Sequence, residues 1–243
     1  MSEEKVIEVS DLTKKFGDFT AVNRITFDVH KGEIFGFLGA NGAGKTTAMK
    51  MLIGILKPTS GEALVAGFDV LSHPNKVKRN IGYMSQKFAL YDDLTVMENI
   101  TFFGGIYGLS RKRIKEKGTQ LISELGLGEI ASDLVGKLPL GWKQKIAFSV
   151  ALLHEPKIVF LDEPTGGVDP VTRRQFWEMI YKTANGGTTI FVTTHYMDEA
   201  EYCDRVSIMV NGVIEALDTP KNLRSAFNVE DMNGVFLKLA RGV

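Results

Sequence analysis

The most constraining stretch of this 243-residue chain is Gly39-Ala40-Asn41-Gly42-Ala43-Gly44-Lys45-Thr46. Its spacing, glycine then four residues then Gly-Lys-Thr, is that of a phosphate-cradling loop. The residue types follow from the task. Glycines let backbone N–H groups wrap closely around phosphate oxygens. Lys45 supplies a point charge toward the outer phosphates, and Thr46 a hydroxyl for Mg²⁺. The positive end of a following helix faces the same anion. The flanks suit this reading. Ile34-Phe35-Gly36-Phe37-Leu38 is a compact apolar run expected as a buried strand. From Thr46 to Ile55, Met49, Leu52 and Ile53 recur at helical spacing until Lys57-Pro58.

A second buried strand is expected at Ile158-Val159-Phe160-Leu161, ending in Asp162 and Glu163. In a phosphate-loop enzyme a strand-end aspartate supports Mg²⁺. Asp162 fits that role, and Glu163 fits a general base for an attacking water. Val6–Val9, Ile25–Val29, Thr188–Thr193 and Val206–Val210 are further strand candidates. A helix is expected with Phe176, Met179, Ile180 and Thr183 on one face. Strands alternating with helices predict an α/β fold with a mostly parallel sheet covered on both faces.

The middle of the chain reads differently. Val96, Ile100, Phe103 and Tyr107, then Ile114, Leu121, Ile122 and Leu125, mark amphipathic helices. Residues 87–153 are therefore expected as a helical lobe inserted into a core formed by 1–86 and 154–225, with 226–243 as an extension. Within that extension, 231–239 fits a small docking helix or a strand. The basic run Arg111, Lys112, Arg113, Lys115 and Lys117 reads as a solvated helix face.

Composition limits the classes. Twenty-nine basic residues balance 29 acidic ones, so bulk charge favours no nucleic-acid partner. Cys203 is the single cysteine, which leaves no intrachain disulfide and suits a reducing compartment. The polar start Met1-Ser2-Glu3-Glu4-Lys5 lacks a signal-peptide pattern. No apolar run approaches the roughly 20 residues that span a bilayer. The expectation is a cytoplasmic chain whose membrane role comes through a partner.

Taken in order, these residues resemble the ATP-binding subunits of ABC transporters, over nearly the whole chain. Phe16, in Lys14-Lys15-Phe16-Gly17, is similar to the aromatic that stacks on adenine. Gln86, in Tyr83-Met84-Ser85-Gln86, is similar to the Q-loop glutamine that contacts Mg²⁺ and the attacking water. Gly167-Val168-Asp169-Pro170 resembles the D-loop, and His195 the switch histidine at the γ-phosphate. The resemblance implies a RecA-like core with an antiparallel β subdomain. It implies ATP held by Phe16, Val22, Gly39, Asn41, Gly42, Ala43, Gly44, Lys45, Thr46 and Thr47. Mg²⁺ would be held by Thr46, Gln86 and Asp162, and Glu163, Gln86 and His195 would be catalytic. The implied partners are a second copy or a paired ATPase subunit, and an integral membrane permease that holds the chain at the inner face of the cell membrane.

The chain departs from the family at its signature. Leu138-Pro139-Leu140-Gly141-Trp142 stands where Leu-Ser-Gly-Gly-Gln is usual, in the segment that grips the other subunit's γ-phosphate. Pro139 removes a hydroxyl and an N–H, and Leu140 adds bulk. Gly166 also replaces a usual serine at the D-loop. Two readings follow: a variant that grips phosphate through remaining backbone groups and the helix dipole, or a weakened, regulatory site. The stretch from Ser85 to Val96 and the signature segment resemble exporters of drugs or other organic compounds that work with separately encoded permeases.

Overall fold

The computed structural model describes residues 4–86 and 90–241. Positions 1–3, 87–89 and 242–243 lie outside them, including the start of the expected lobe and the ends of the expected core and extension. The chain opens with a long hairpin of β1 (Lys5–Phe16) and β2 (Phe19–His30). Both strands run further than the apolar clusters at their ends suggested. The register shifts at several points, and Asp11 sits unpaired in the bulge between Val9 and Leu12. The phosphate-loop strand β3 (Ile34–Gly39) feeds helix α1 (Lys45–Leu52). Then come β4 (Ser60–Val65), β5 (Phe68–Asp69), α2 (Pro74–Asn80) and β6 (Ile81–Met84).

Three helices follow: α3 (Val96–Ile106), α4 (Arg111–Glu124) and α5 (Leu140–Ala151). The α/β pattern resumes with β7 (Ile158–Asp162), α6 (Pro170–Asn185) and β8 (Thr189–Thr194). A 3₁₀ turn at Met197–Tyr202 leads to β9 (Arg205–Val210) and β10 (Val213–Asp218). Helices α7 (Pro220–Phe227) and α8 (Met232–Arg241) end the described chain, so 231–239 is helical.

The strands form two sheets. One is antiparallel, in the order β2-β1-β4-β5. The other has the order β10-β9-β3-β8-β7-β6 and is parallel apart from β10 at its edge. Strand β8 therefore lies between the phosphate-loop strand β3 and the acidic strand β7. The carboxyl ends of β3, β8, β7 and β6 point the same way, where ligands gather in open α/β sheets.

Alternation along the buried strands separates two cores. Phe35, Phe37, Phe160 and Phe191 face the antiparallel sheet and α1; the first two and Phe191 meet Phe27 with ring centroids 5.5 to 6.2 Å apart, and Phe160 meets Phe191 at 5.1 Å. Leu38, Val159, Leu161, Ile190 and Val192 face the other way, onto Phe148, Phe176, Trp177, Ile180 and Val235 from α5, α6 and α8. Aromatic volume on one face and branched aliphatics on the other fill the two gaps of this layered fold. Helices α3, α4 and α5 pack around a third cluster that includes Val96, Ile100, Ile114, Leu121 and Ile146. The basic face of α4 is partly neutralised: Lys117 and Arg113 meet Glu155 at 2.7 and 3.1 Å. Among the described residues no helix is long and apolar enough to cross a membrane.

Candidate functional site

Two glycines of the loop after β3 are there for lack of room. A Cβ at Gly39 would lie 2.4 Å from the Met209 carbonyl oxygen, and one at Gly44 would lie 2.4 Å from that of Ala21. Gly44 also has φ +106°, outside the comfortable range of L side chains. The loop thus sits tightly between β2 and β9 and turns straight into α1. Lys45, 4% exposed, donates from Nζ to the carbonyls of Gly39 (2.8 Å) and Ala40 (3.1 Å), and lies 3.5 Å from Oε1 of Glu163. Burial pushes its pKa down, and the charges of Glu163 and Asp162 oppose that shift.

The acidic side comes from β7. Asp162 is buried, and its Oδ1 accepts from Oγ1 of Thr193 at 2.7 Å and of Thr46 at 3.4 Å. Burial raises its carboxyl pKa, partly countered by the Thr193 hydrogen bond. Glu163 turns off the strand with φ +49°, a conformation that costs a bulky residue about 1–3 kcal/mol. Its N–H is held by the Thr193 carbonyl and hydroxyl, each at 3.1 Å. The turn aims its carboxylate at three groups. Gln86 Nε2 donates to Oε2 at 2.9 Å, His195 Nδ1 lies 3.1 Å from the same oxygen without hydrogen-bond alignment, and Lys45 is on Oε1. A cleft of about 330 Å³ opens over this group, lined by Asn41, Gly42, Gly44, Lys45, Thr46, Thr47, Gln86, Glu163, Phe19 and Ala21.

A second cleft, about 310 Å³, shares no lining residue with the first. It is formed by Pro139, Leu140, Gly141, Trp142 and Lys145 at the start of α5, and by Gly167, Val168, Asp169, Thr172 and Gln175 at the start of α6. Pro139 is the N-cap of α5, at φ −55° and ψ 150°, so proline opens this helix without interrupting it. Asp169 caps α6 by accepting from the N–H groups of Val171 and Thr172 and from the Thr172 hydroxyl. These bonds, the hydroxyl first, hold its carboxyl below the usual range.

With this geometry in place, residues 22–166 match the family described as ABC transporter. The chain belongs to the ABC transporter ATP-binding family. It is 52% identical over 222 residues to the probable multidrug ABC transporter ATP-binding protein YbhF of Escherichia coli, covering 91% of this chain and 38% of that protein. It thus spans well under half of YbhF. It is 37% identical to the linearmycin resistance ATP-binding protein LnrL of Bacillus subtilis, over 90% of this chain and 71% of that one. A solved ATP-binding subunit of an ABC transporter superposes with a TM-score of 0.86 at 30% identity, over 96% of this chain and 99% of that one.

Within the cassette, the structure brings Asn41, Gly42, Gly44, Lys45, Thr46, Thr47, Gln86 and Glu163 to one cleft, with Asp162 behind them and His195 against Glu163. Gly39 and Ala43 shape the loop from behind, Gly39 through its bond to Lys45 and Ala43 through its buried packing. Three of the expected residues do not line the clefts. Val22 is fully buried in the core, and its neighbour Ala21 faces the cleft, because successive strand residues face opposite sides. Phe16 does not line the cleft. Its half-exposed ring carries the Lys14 ammonium 5.1 Å from its centroid, and the cleft is lined instead by Phe19, its cross-strand partner in the hairpin. Leu138 is buried in the helical cluster and does not reach the signature cleft, which Pro139 to Trp142 line. Thr193 carries no local mark of its role. Its signal is a hydroxyl at the end of an apolar strand, which becomes informative only once β8 is known to lie between β3 and β7.

The signature cleft also gives a steric reason for its one retained glycine, Gly141. A Cβ at Gly141 would lie 2.6 Å from Cγ2 of Thr172, so this glycine is required by α6 of the same chain. Leu140 approaches Gly167, where a Cβ would lie 3.4 Å from its Cδ2.

Proposed function

We propose that this cassette hydrolyses ATP with Mg²⁺ and drives export through an integral membrane permease, closing as a dimer of two copies or with a paired ATPase subunit. One observation carries the reading: Lys45, Gln86 and His195 converge on Glu163, directly above the Thr46–Asp162 pair. ATP enters with its phosphates on the loop amides and Lys45. Water attacks the γ-phosphorus, the bond to the β-phosphate oxygen breaks, and the water proton passes to Glu163, leaving ADP and phosphate. Gln86 orients the water and Glu163, and His195 reaches the γ-phosphate.

The donor set suits Mg²⁺, which prefers one or two carboxylates plus phosphate oxygens to a full protein cage. Thr46 and Asp162, with Gln86 beside them, would hold it, and it would neutralise charge on the phosphate oxygens. The second reading, a regulatory module with slow turnover, rests on Pro139 and Leu140.

The two clefts lie apart on one chain, which supports completion of each nucleotide site by the signature segment of another chain. Export of a drug or related organic compound is supported by the likeness to YbhF and LnrL. The proposed location is the cytoplasmic face of the membrane, held there by the permease, with no nucleic-acid partner. The test is Mg²⁺-dependent ATP turnover by the purified protein and its Lys45→Ala variant. Turnover lost in the variant supports the reading. A wild-type protein that neither binds nor hydrolyses ATP contradicts it.

A further inference from the structure

Outside the nucleotide cleft, Glu199 is a buried charged group held on both of its oxygens. It sits in the 3₁₀ turn after β8 and is completely buried. A buried carboxylate is costly unless each oxygen finds donors. Here Oε1 accepts from Thr165 Oγ1 and Oε2 from Thr194 Oγ1, both at 2.6 Å. Arg173 Nε lies 3.7 Å from Oε1 and supplies the countercharge.

The partners of Glu199 make the contact informative. Thr165 is two residues past Glu163 and opens the D-loop turn. Thr194 immediately precedes His195, and its hydroxyl also accepts from the Tyr196 N–H at 3.0 Å. Arg173 lies on α6, where its N–H bonds the carbonyl of Asp169, and its guanidinium covers the Tyr196 ring at 4.4 Å. The Tyr196 ring in turn packs on the His195 ring at 4.2 Å. One buried carboxylate therefore joins the chain leaving Glu163, the first turn of the D-loop helix and both neighbours of His195.

We propose that Glu199 is a positioning residue that locks His195 and Glu163 to the D-loop, so that the two sides of the hydrolytic site move as one unit. It touches no substrate and acts through Thr165 and Thr194. This rests on the roles given to Glu163 and His195 above. Glutamine in its place keeps the shape but offers one acceptor oxygen instead of two, and turns a donor toward a threonine hydroxyl that already donates. Groups that orient a reacting group from behind typically cost about 10- to 100-fold in activity when removed.

The test uses the full-length protein with Mg²⁺ and ATP. It compares Glu199→Gln, Thr194→Val, Thr194→Ser and the double variant Glu199→Gln/Thr194→Val. For each, kcat, KM, equilibrium ATP affinity and melting temperature are measured. The expected result is a kcat lowered about 10-fold or more in Glu199→Gln and Thr194→Val, with KM and ATP affinity within about 3-fold of wild type. Thr194→Ser keeps its hydroxyl and restores kcat. The double variant is no slower than the slower single one, because both break the same linkage. If Glu199→Gln does not fold, the contrast between Val and Ser at position 194 carries the test. Wild-type kcat in Glu199→Gln, or equal losses in both Thr194 variants, overturns the proposal while leaving the ATPase reading intact. A wild-type protein without turnover overturns both.

Discussion

Thr193 donates a 2.7 Å hydrogen bond from Oγ1 to Oδ1 of Asp162, and the same hydroxyl oxygen accepts the N–H of Glu163. A single buried side chain thus holds both acidic residues from the neighbouring strand. Thr193→Val keeps the volume and removes the hydroxyl, leaving buried polar groups short of a partner at a cost of about 1–3 kcal/mol. The expected kcat falls about 10- to 100-fold, while Thr193→Ser stays near wild type. A valine variant with wild-type kcat contradicts this role.

The charge on Asp162 is held against its own burial. Its pKa in the folded chain lies above the unfolded value, chiefly through desolvation. Between those two values the folded state keeps a proton that the unfolded state has lost. The contribution of this group to stability therefore falls as pH rises through that window and stays low at neutral pH. Asp162→Asn removes the penalty. It is expected to melt higher than wild type at pH 7 without nucleotide, by about 2–4 °C for each 1 kcal/mol recovered. The advantage shrinks in acid, where the wild-type carboxyl is already neutral. The same variant should lose Mg²⁺-dependent turnover, a trade of stability against activity. A variant less stable at pH 7 refutes the assignment of the strain to Asp162.

At the hairpin tip, Phe16 and Phe19 are directly opposed across the strands, both substantially exposed, and Phe19 reaches the cleft. Base stacking on one aromatic ring is worth about 1–3 kcal/mol. Phe19→Ala is expected to weaken ATP affinity about 5- to 150-fold on that scale, and the Phe16→Ala/Phe19→Ala double variant further. Equilibrium binding of ATP checks both. Unchanged affinity in Phe19→Ala removes this ring from the site.

Gly141 and Thr172 test why the signature segment keeps this glycine. Gly141→Ala pushes a methyl into Thr172 Cγ2 and is expected to cost about 1–3 kcal/mol, read as a lower melting temperature. Thr172→Ser removes that methyl and keeps the hydroxyl that bonds Asp169. The Gly141→Ala/Thr172→Ser double variant should recover most of the loss. No recovery would show that the close approach is not what requires glycine here.

How far the sequence could be read follows from the range of each signal. The phosphate loop and the Asp162–Glu163 strand end are contiguous patterns, and their local elements follow directly from them. Position on a strand face is harder to read. Val22 and Ala21 differ by one residue, and only the bulged register of β1 against β2 decides which of them faces the cleft. Phe19 is polar in neighbourhood and sits at a turn, so nothing local marks it as a binding group. Thr193 and Glu199 act across strands and turns 30 or more residues from some of their partners. A single threonine or glutamate carries no trace of such contacts. Strand β10 gives no alternation to read, since nearly all of its residues are half-buried, and α7 is a short helix of eight residues.

The central claim is that Glu163 takes the water proton in a site completed by a second subunit. Glu163→Gln keeps the size of the side chain and removes its basicity. In Mg²⁺ and ATP this variant is expected to hydrolyse at least about 100-fold more slowly than wild type, the scale of a general base. By size-exclusion chromatography with light scattering it should run as a dimer only when ATP is present. A variant that stays monomeric with ATP and hydrolyses it at the wild-type rate contradicts the account.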